Sequence, residues 1–194
     1  MTNTLTLASL QKTWPDFSRD IHHFLEELGL DYLGLECDHC ALRVNSFFVA
    51  ETLTEAFCSD GTIISNNIIN GRPILIIELN TPLQLADFKI DCIELPYPGC
   101  KHYPVEGWEH IELVLPCPAT SCDELTKALI KKVPHLAGVI ENKTAIKVKL
   151  SSPSGEHERL ANPTIAFKKG NLCIKIHPHG IKEVIESECN NTAL

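Results

Sequence analysis

Between about Leu7 and Leu33, apolar residues recur at steps of three and four. Leu10, Trp14, Phe17, Ile21, Phe24, Leu25 and Leu28 form one stripe, which predicts an amphipathic helix, with Gly29 as its stop. The period then shortens to two. In Asp38-His39-Cys40-Ala41-Leu42-Arg43-Val44-Asn45, the residues Cys40, Leu42 and Val44 share one face, and His39, Ala41, Arg43 and Asn45 share the other. This is a strand with an apolar back and a polar front. A short helix over about Phe47 to Cys58 follows, then Asp60-Gly61 as a turn. Strands over Thr62–Ile69 and Ile74–Leu79 flank the hairpin turn Asn70-Gly71. Pro82, Pro96, Pro98 and Pro104 punctuate an expected linker that holds one strand, about Lys89 to Leu95.

Alternation returns at Glu109-His110-Ile111-Glu112-Leu113-Val114-Leu115, with His110, Glu112 and Val114 on one face and Ile111, Leu113 and Leu115 on the other. Ser121 or Cys122 opens an amphipathic helix with Leu125, Leu129 and Ile130 on one side. Strands over Ala145–Leu150, Thr164–Phe167 and Leu172–Ile176 complete the pattern, with Lys168–Asn171 as a turn. Each half thus opens on an acidic residue, a histidine and an alternating strand, continues with a helix, and ends on a hairpin. The last strand of each hairpin is expected to carry a charged residue between aliphatics, Ile77-Glu78-Leu79 and Ile174-Lys175-Ile176. The second half is longer, with an insertion expected near Ser151 to Pro163. The order of elements is α+β, not doubly wound α/β. The expected division is residues 1–34 as an N-terminal helical extension, 35–100 as the first module and 101–194 as the second, in one compact domain.

Composition narrows the function. Of 194 residues, 44% are hydrophobic and 22% charged, which suits a globular core rather than disorder. The formal net charge of −8 argues against a nucleic-acid partner. Lys143, Lys147, Lys149, Lys168 and Lys169 read as solvated strand positions. No apolar run is long enough to cross a membrane, and the N-terminus lacks the pattern of a secretory signal. Nine cysteines, an odd number in a chain of this length, read as reduced thiols in a cytoplasmic protein. Cys37 and Cys40 have redox-motif spacing but enter a strand, so they read as unrelated thiols.

The strand openings Asp38-His39-Cys40-Ala41-Leu42-Arg43-Val44 and Trp108-Glu109-His110-Ile111-Glu112-Leu113-Val114 resemble those of paired βαβββ modules in the vicinal oxygen chelate superfamily. That superfamily includes glyoxalases, methylmalonyl-CoA epimerase and extradiol dioxygenases. Within it the chain is most similar to the YecM group of bacterial proteins, over roughly Asp31 to the C-terminus. The resemblance implies two modules joined into a half-open mixed β-sheet cup around a divalent metal. The metal positions it implies are His39, Glu78, His110 and Lys175. Lys175 departs from the pattern, because an ammonium has no lone pair to give.

Two imidazoles and a carboxylate suit Zn, Mn, Fe, Ni or Co. Glu112, two residues beyond His110 on the same face, is the candidate general base, and is itself a possible ligand. Arg43 and Asn45 share the face of His39 and are candidates to orient a substrate carboxylate. Lys175 and His177 are further candidates for substrate contact, Lys175 facing an anion or holding a carboxylate. His22, His23, His102 and His135 are assigned no chemistry, and Glu156-His157-Glu158 reads as a surface loop. The leading expectation is a metal-dependent isomerase, epimerase, lyase or dioxygenase acting on a small oxygen-rich substrate, as monomer or homodimer. A metal-free ligand-binding module of the same fold is the alternative, and a zinc-stabilised protein using its cysteines is the third.

Overall fold

The computed structural model describes residues 4–69, 71–141, 143–152 and 160–189. Glu156-His157-Glu158, Asn70 and most of the expected insertion lie outside them. Helix α1 (Leu7–Leu28) starts at a capping box, in which Ser9 N–H donates to Thr6 Oγ1 and Thr6 N–H to Ser9 Oγ. It ends earlier than the expected Leu33, because Gly29 adopts φ 65° and closes it; a 3₁₀ turn, Asp31–Leu33, follows. The first half then runs β1 (Glu36–Arg43), α2 (Phe47–Cys58), β2 (Gly61–Ile69), β3 (Arg72–Leu85) and β4 (Phe88–Pro96). The second runs β5 (Gly107–Val114), α3 (Cys122–Lys132), α4 (Leu136–Ile140), β6 (Lys147–Ser151), β7 (Thr164–Lys169), β8 (Leu172–His177) and α5 (Ile181–Cys189).

The strands form one mixed eight-stranded open sheet in the order β2-β3-β4-β1-β5-β8-β7-β6. β1 pairs parallel with β4, and β5 pairs parallel with β8. β1 and β5 pair antiparallel and join the two halves. Each half is therefore a βαβββ arrangement, and the seam relates one to the other by an approximate twofold. The expected linker after Leu79 is instead sheet. β3 continues through a register irregularity between Glu78 and Leu83 to Leu85, and a tight turn with Ala86 at φ 46° returns the chain as β4. The parallel partner of β1 is consequently β4, not the strand that carries Glu78.

Alternation sorts the two faces. Cys40, Leu42, Ile77, Ile93, Ile111, Leu113, Ile174 and Ile176 are buried in the main core with the apolar stripes of α1 to α4. Two indoles fasten α1 over the joined halves: Trp14 Nε1–H donates to Gln84 O and Trp108 Nε1–H to Leu10 O, each at 3.0 Å. The opposite face carries His39, His110 and Glu112. Part of that face is covered by α5, whose Ile181 and Ile185 pack against Ile74, Ile76 and Cys92. Phe167 is fully buried in the main core, whereas Phe48 is 69% exposed. Phe167→Ala should lower stability by about 3–5 kcal/mol in urea unfolding, and Phe48→Ala by no more than about 0.5 kcal/mol.

Candidate metal centre

The seam registers set the site. One row of facing residues crosses the sheet as Ile76, Glu94, Ala41 and His110; the next crosses as Glu78, Cys92, His39, Glu112 and Lys175. His39, Glu94, His110 and Glu112 each offer one ligand atom, and these four atoms lie within 4.8 Å of one another. Glu112 Oε1 is 2.9 Å from His110 Nε2, 3.4 Å from His39 Nε2 and 2.6 Å from Lys175 Nζ. Glu94 Oε2 lies 3.7 Å from His39 Nε2. Ala41, between Glu94 and His110 in its row, leaves space above the sheet for these longer side chains.

The expectation for Glu78 is corrected by this register. Glu78 shares a row with His39 but stands two strands away, about 10 Å at ordinary strand spacing. Its carboxylate pairs with Lys182 of α5, which also donates to Asp91 at 2.7 Å. Glu94 occupies the place foreseen for it. The signal was present in Ile93-Glu94-Leu95, a charged residue between aliphatics like Ile174-Lys175-Ile176.

The remaining expected residues sort by geometry. Lys175 holds a carboxylate, that of Glu112. Arg43 pairs with Glu109 and lies over the Tyr103 ring, with its guanidinium carbon 4.8 Å from the centroid. Asn45 is a clamp on the segment between the halves: its amide donates to Tyr103 O and accepts from Tyr103 N–H, both at 2.8 Å, and its own N–H donates to Glu106. Its polar groups are thereby occupied by the protein. His177 is 2% exposed. Its Nδ1 is 3.0 Å from Asn162 Nδ2, and its Nε2 3.4 Å from Asp38.

Two acidic residues complete the surroundings. Asp38 Oδ1 is 3.0 Å from His39 Nδ1, and Asp38 Oδ2 accepts from Ile181 N–H at 2.6 Å. Glu109 Oε2 is 3.5 Å from His110 Nδ1. Among the described residues, His39 Nε2 and His110 Nδ1 are buried without a hydrogen-bond partner. A buried imidazole nitrogen left open toward two carboxylates is an arrangement that a cation satisfies.

The carboxylates dominate the electrostatics of the cluster. Burial alone pushes Glu112 up, but Lys175, His39 and His110 outweigh it and hold the carboxyl well below its ordinary range. Burial likewise opposes charge on His39, yet Asp38 and Glu112 raise it well above the usual imidazole value. Glu112 offers one of the four converging ligand atoms. The Cys37 and Cys40 thiols are buried on the core side of the seam and pushed up by burial, which leaves them unreactive.

A family model described as YecM protein matches residues 6–188. Protein YecM of Escherichia coli (strain K12) is 41% identical over 191 residues, covering 97% of this chain and 98% of that protein. An uncharacterized protein of Haemophilus influenzae is 39% identical over 190 residues, covering 95% and 96%. A solved structure described as structural-genomics protein EC4020 superposes with a TM-score of 0.76 at 38% identity, over 94% of this chain and 92% of that one. No described helix is long and apolar enough to cross a membrane.

Glu109 makes the electrostatics testable. Burial opposes its charge, but His110 and Arg43 bring its pKa down from 4.5 to about 2. A carboxyl depressed in the folded state contributes stability above its unfolded value and loses it as pH falls through the folded one. Wild-type stability should therefore fall between about pH 4.5 and pH 2, with a contribution from this group of at most about 3 kcal/mol. Glu109→Gln should flatten that part of the acid limb in urea titrations at stepped pH.

Proposed function

The chain belongs to the YecM family, and we propose that it binds one divalent metal at the seam and uses it on a small oxygen-rich substrate. The observation that carries this reading is the convergence of two buried imidazole nitrogens and two carboxylates within 4.8 Å, one of those nitrogens having no partner among the described residues. His39, His110, Glu94 and Glu112 would hold the ion. Two nitrogens and two oxygens suit Zn, Mn, Fe, Ni or Co. A bound ion would supply Lewis acidity toward a substrate oxygen. The reaction class this supports is isomerisation or epimerisation, lyase chemistry or dioxygenation.

The chain's own residues divide the remaining work. Glu94 and Glu112 would offset the charge of a bound ion. Lys175 gives up its hold on Glu112 and faces an anionic oxygen of the substrate, because its side chain is 27% exposed while those of His39 and His110 are nearly closed to solvent. Arg43 holds Glu109, Asn45 braces the segment between the halves, and His177 braces Asp38. Glu112, first expected as general base, serves charge balance and ligation in this reading, because its carboxylate stands among the four converging ligand atoms.

A second reading has one observation in its favour. The Lys175 ammonium, 2.6 Å from Glu112, already compensates the site's negative charge, as a metal-free ligand-binding module would require. Elemental analysis of purified, untagged protein separates the two. The metal-enzyme reading expects about one divalent ion per chain. It also expects loss of that ion in folded His110→Ala and Glu94→Gln, retention in Glu78→Gln, and tighter retention in Lys175→Met. A wild-type chain that takes up none of the five metals would leave the binding module. Metal binding should also release protons, with affinity rising with pH, because His39 must give up its proton to ligate; titration calorimetry in buffers of different ionisation heat measures that release.

A further inference from the structure

We propose that Asp38 and Glu109 are the positioning residues of this centre, each delivered to its histidine by a β-bulge; this rests on the metal-binding reading. The register of β1 against β5 carries two irregularities. Cys37 faces Leu113 and His39 faces Glu112, so Asp38 is an extra residue on β1. Ala41 faces His110 and Leu42 faces Trp108, so Glu109 is an extra residue on β5. In a regular strand the residue before a histidine points to the opposite face. A bulge sets two residues against one and re-aims a side chain. Here each bulge falls on the acidic residue that precedes a histidine, and the two occupy equivalent places under the approximate twofold. The repeated acidic-histidine pair of the sequence is thus a structural device of the seam.

The chemistry explains why a metal centre needs it. A histidine that ligates through Nε2 carries its ring proton on Nδ1. For His39 and His110 that proton is buried, with side chains 3% and 2% exposed, so an acceptor must be built in. Asp38 stands 3.0 Å from His39 Nδ1. Glu109 stands 3.5 Å from His110 Nδ1, in ion-pair reach and short of a hydrogen bond, because Arg43 engages its other oxygen. A small approach of Glu109 completes the second contact when His110 carries its proton on Nδ1. Asp38 is also fixed independently, by Ile181 N–H and His177. It therefore orients His39 rigidly, whereas Glu109 orients His110 with slack.

The test uses the full chain loaded with zinc, and reads zinc affinity by competition with a chelator and histidine tautomers by long-range ¹H–¹⁵N correlation. Asp38→Asn and Glu109→Gln should each weaken zinc about 10- to 100-fold. In the wild type both rings should carry the proton on Nδ1. In Asp38→Asn the amide can present N–H to His39 Nδ1, so that ring's Nδ1–H signal should be lost while His110 keeps its own. Glu109→Asp, which keeps a carboxylate, should recover most of the affinity lost in Glu109→Gln. Circular dichroism identifies any variant that fails to fold; should Asp38→Asn fail through its tie to α5, the Glu109 pair decides. Unchanged zinc affinity and unchanged tautomers in the folded substitutions would overturn the proposal while leaving the metal site standing. A wild-type chain that binds no zinc, manganese, iron, cobalt or nickel would overturn both.

Discussion

The antiparallel pairing of β1 with β5 is the constraint on which the rest of this molecule depends. It is the only backbone pairing between strands of the two halves in the described sheet, and it carries His39 and His110. Its register places His39 opposite Glu112 and Ala41 opposite His110. Because successive strand residues alternate in direction, the same pairing sends Cys40, Leu42, Ile111 and Leu113 into the core. A slip of one residue would turn the imidazoles into the helices and the aliphatics into the cup. Core packing under α1 to α4 and assembly of the polar cluster are therefore enforced by the same hydrogen-bonded ladder.

The cluster concentrates charge that a sheet face does not ordinarily tolerate. Glu112, Glu94 and Asp38 are offset by Lys175 and the histidines, and every one of those contacts crosses between strands or runs along the seam. Removing one member leaves its partner buried and unpaired, which costs more than the lost contact itself. Helix α5 adds a tie from outside the sheet. Its first residue donates to Asp38, and Lys182 in its first turn engages Glu78 and Asp91. The end of the second half is thereby anchored on the first.

Much of this was legible in the chain. The two alternating strands, the acidic-histidine openings and the α+β order followed from period and repetition, as did the common face of His110 and Glu112, whereas bringing His39 beside them took the resemblance to paired modules. Glu78 was misplaced for a physical reason: prolines suggested a linker after Leu79, whereas a bulge-like irregularity lets β3 absorb Pro82 and continue to Leu85. Once β4 is recognised as the parallel partner of β1, Glu94 and Lys175 become equivalent positions. The orienting roles of Asp38 and Glu109 were hidden because strict alternation points them away; register, not composition, brings them round. His177, expected to contact substrate, is instead engaged by Asn162 and Asp38.

The most direct test of convergence at the seam is anomalous scattering from crystals grown with zinc or manganese, collected on both sides of the metal edge. One peak per chain, bounded by His39 Nε2, His110 Nε2, Glu94 and Glu112, is the predicted result. A peak at Glu78 and Asp91, or none at the seam under saturating metal, would contradict it.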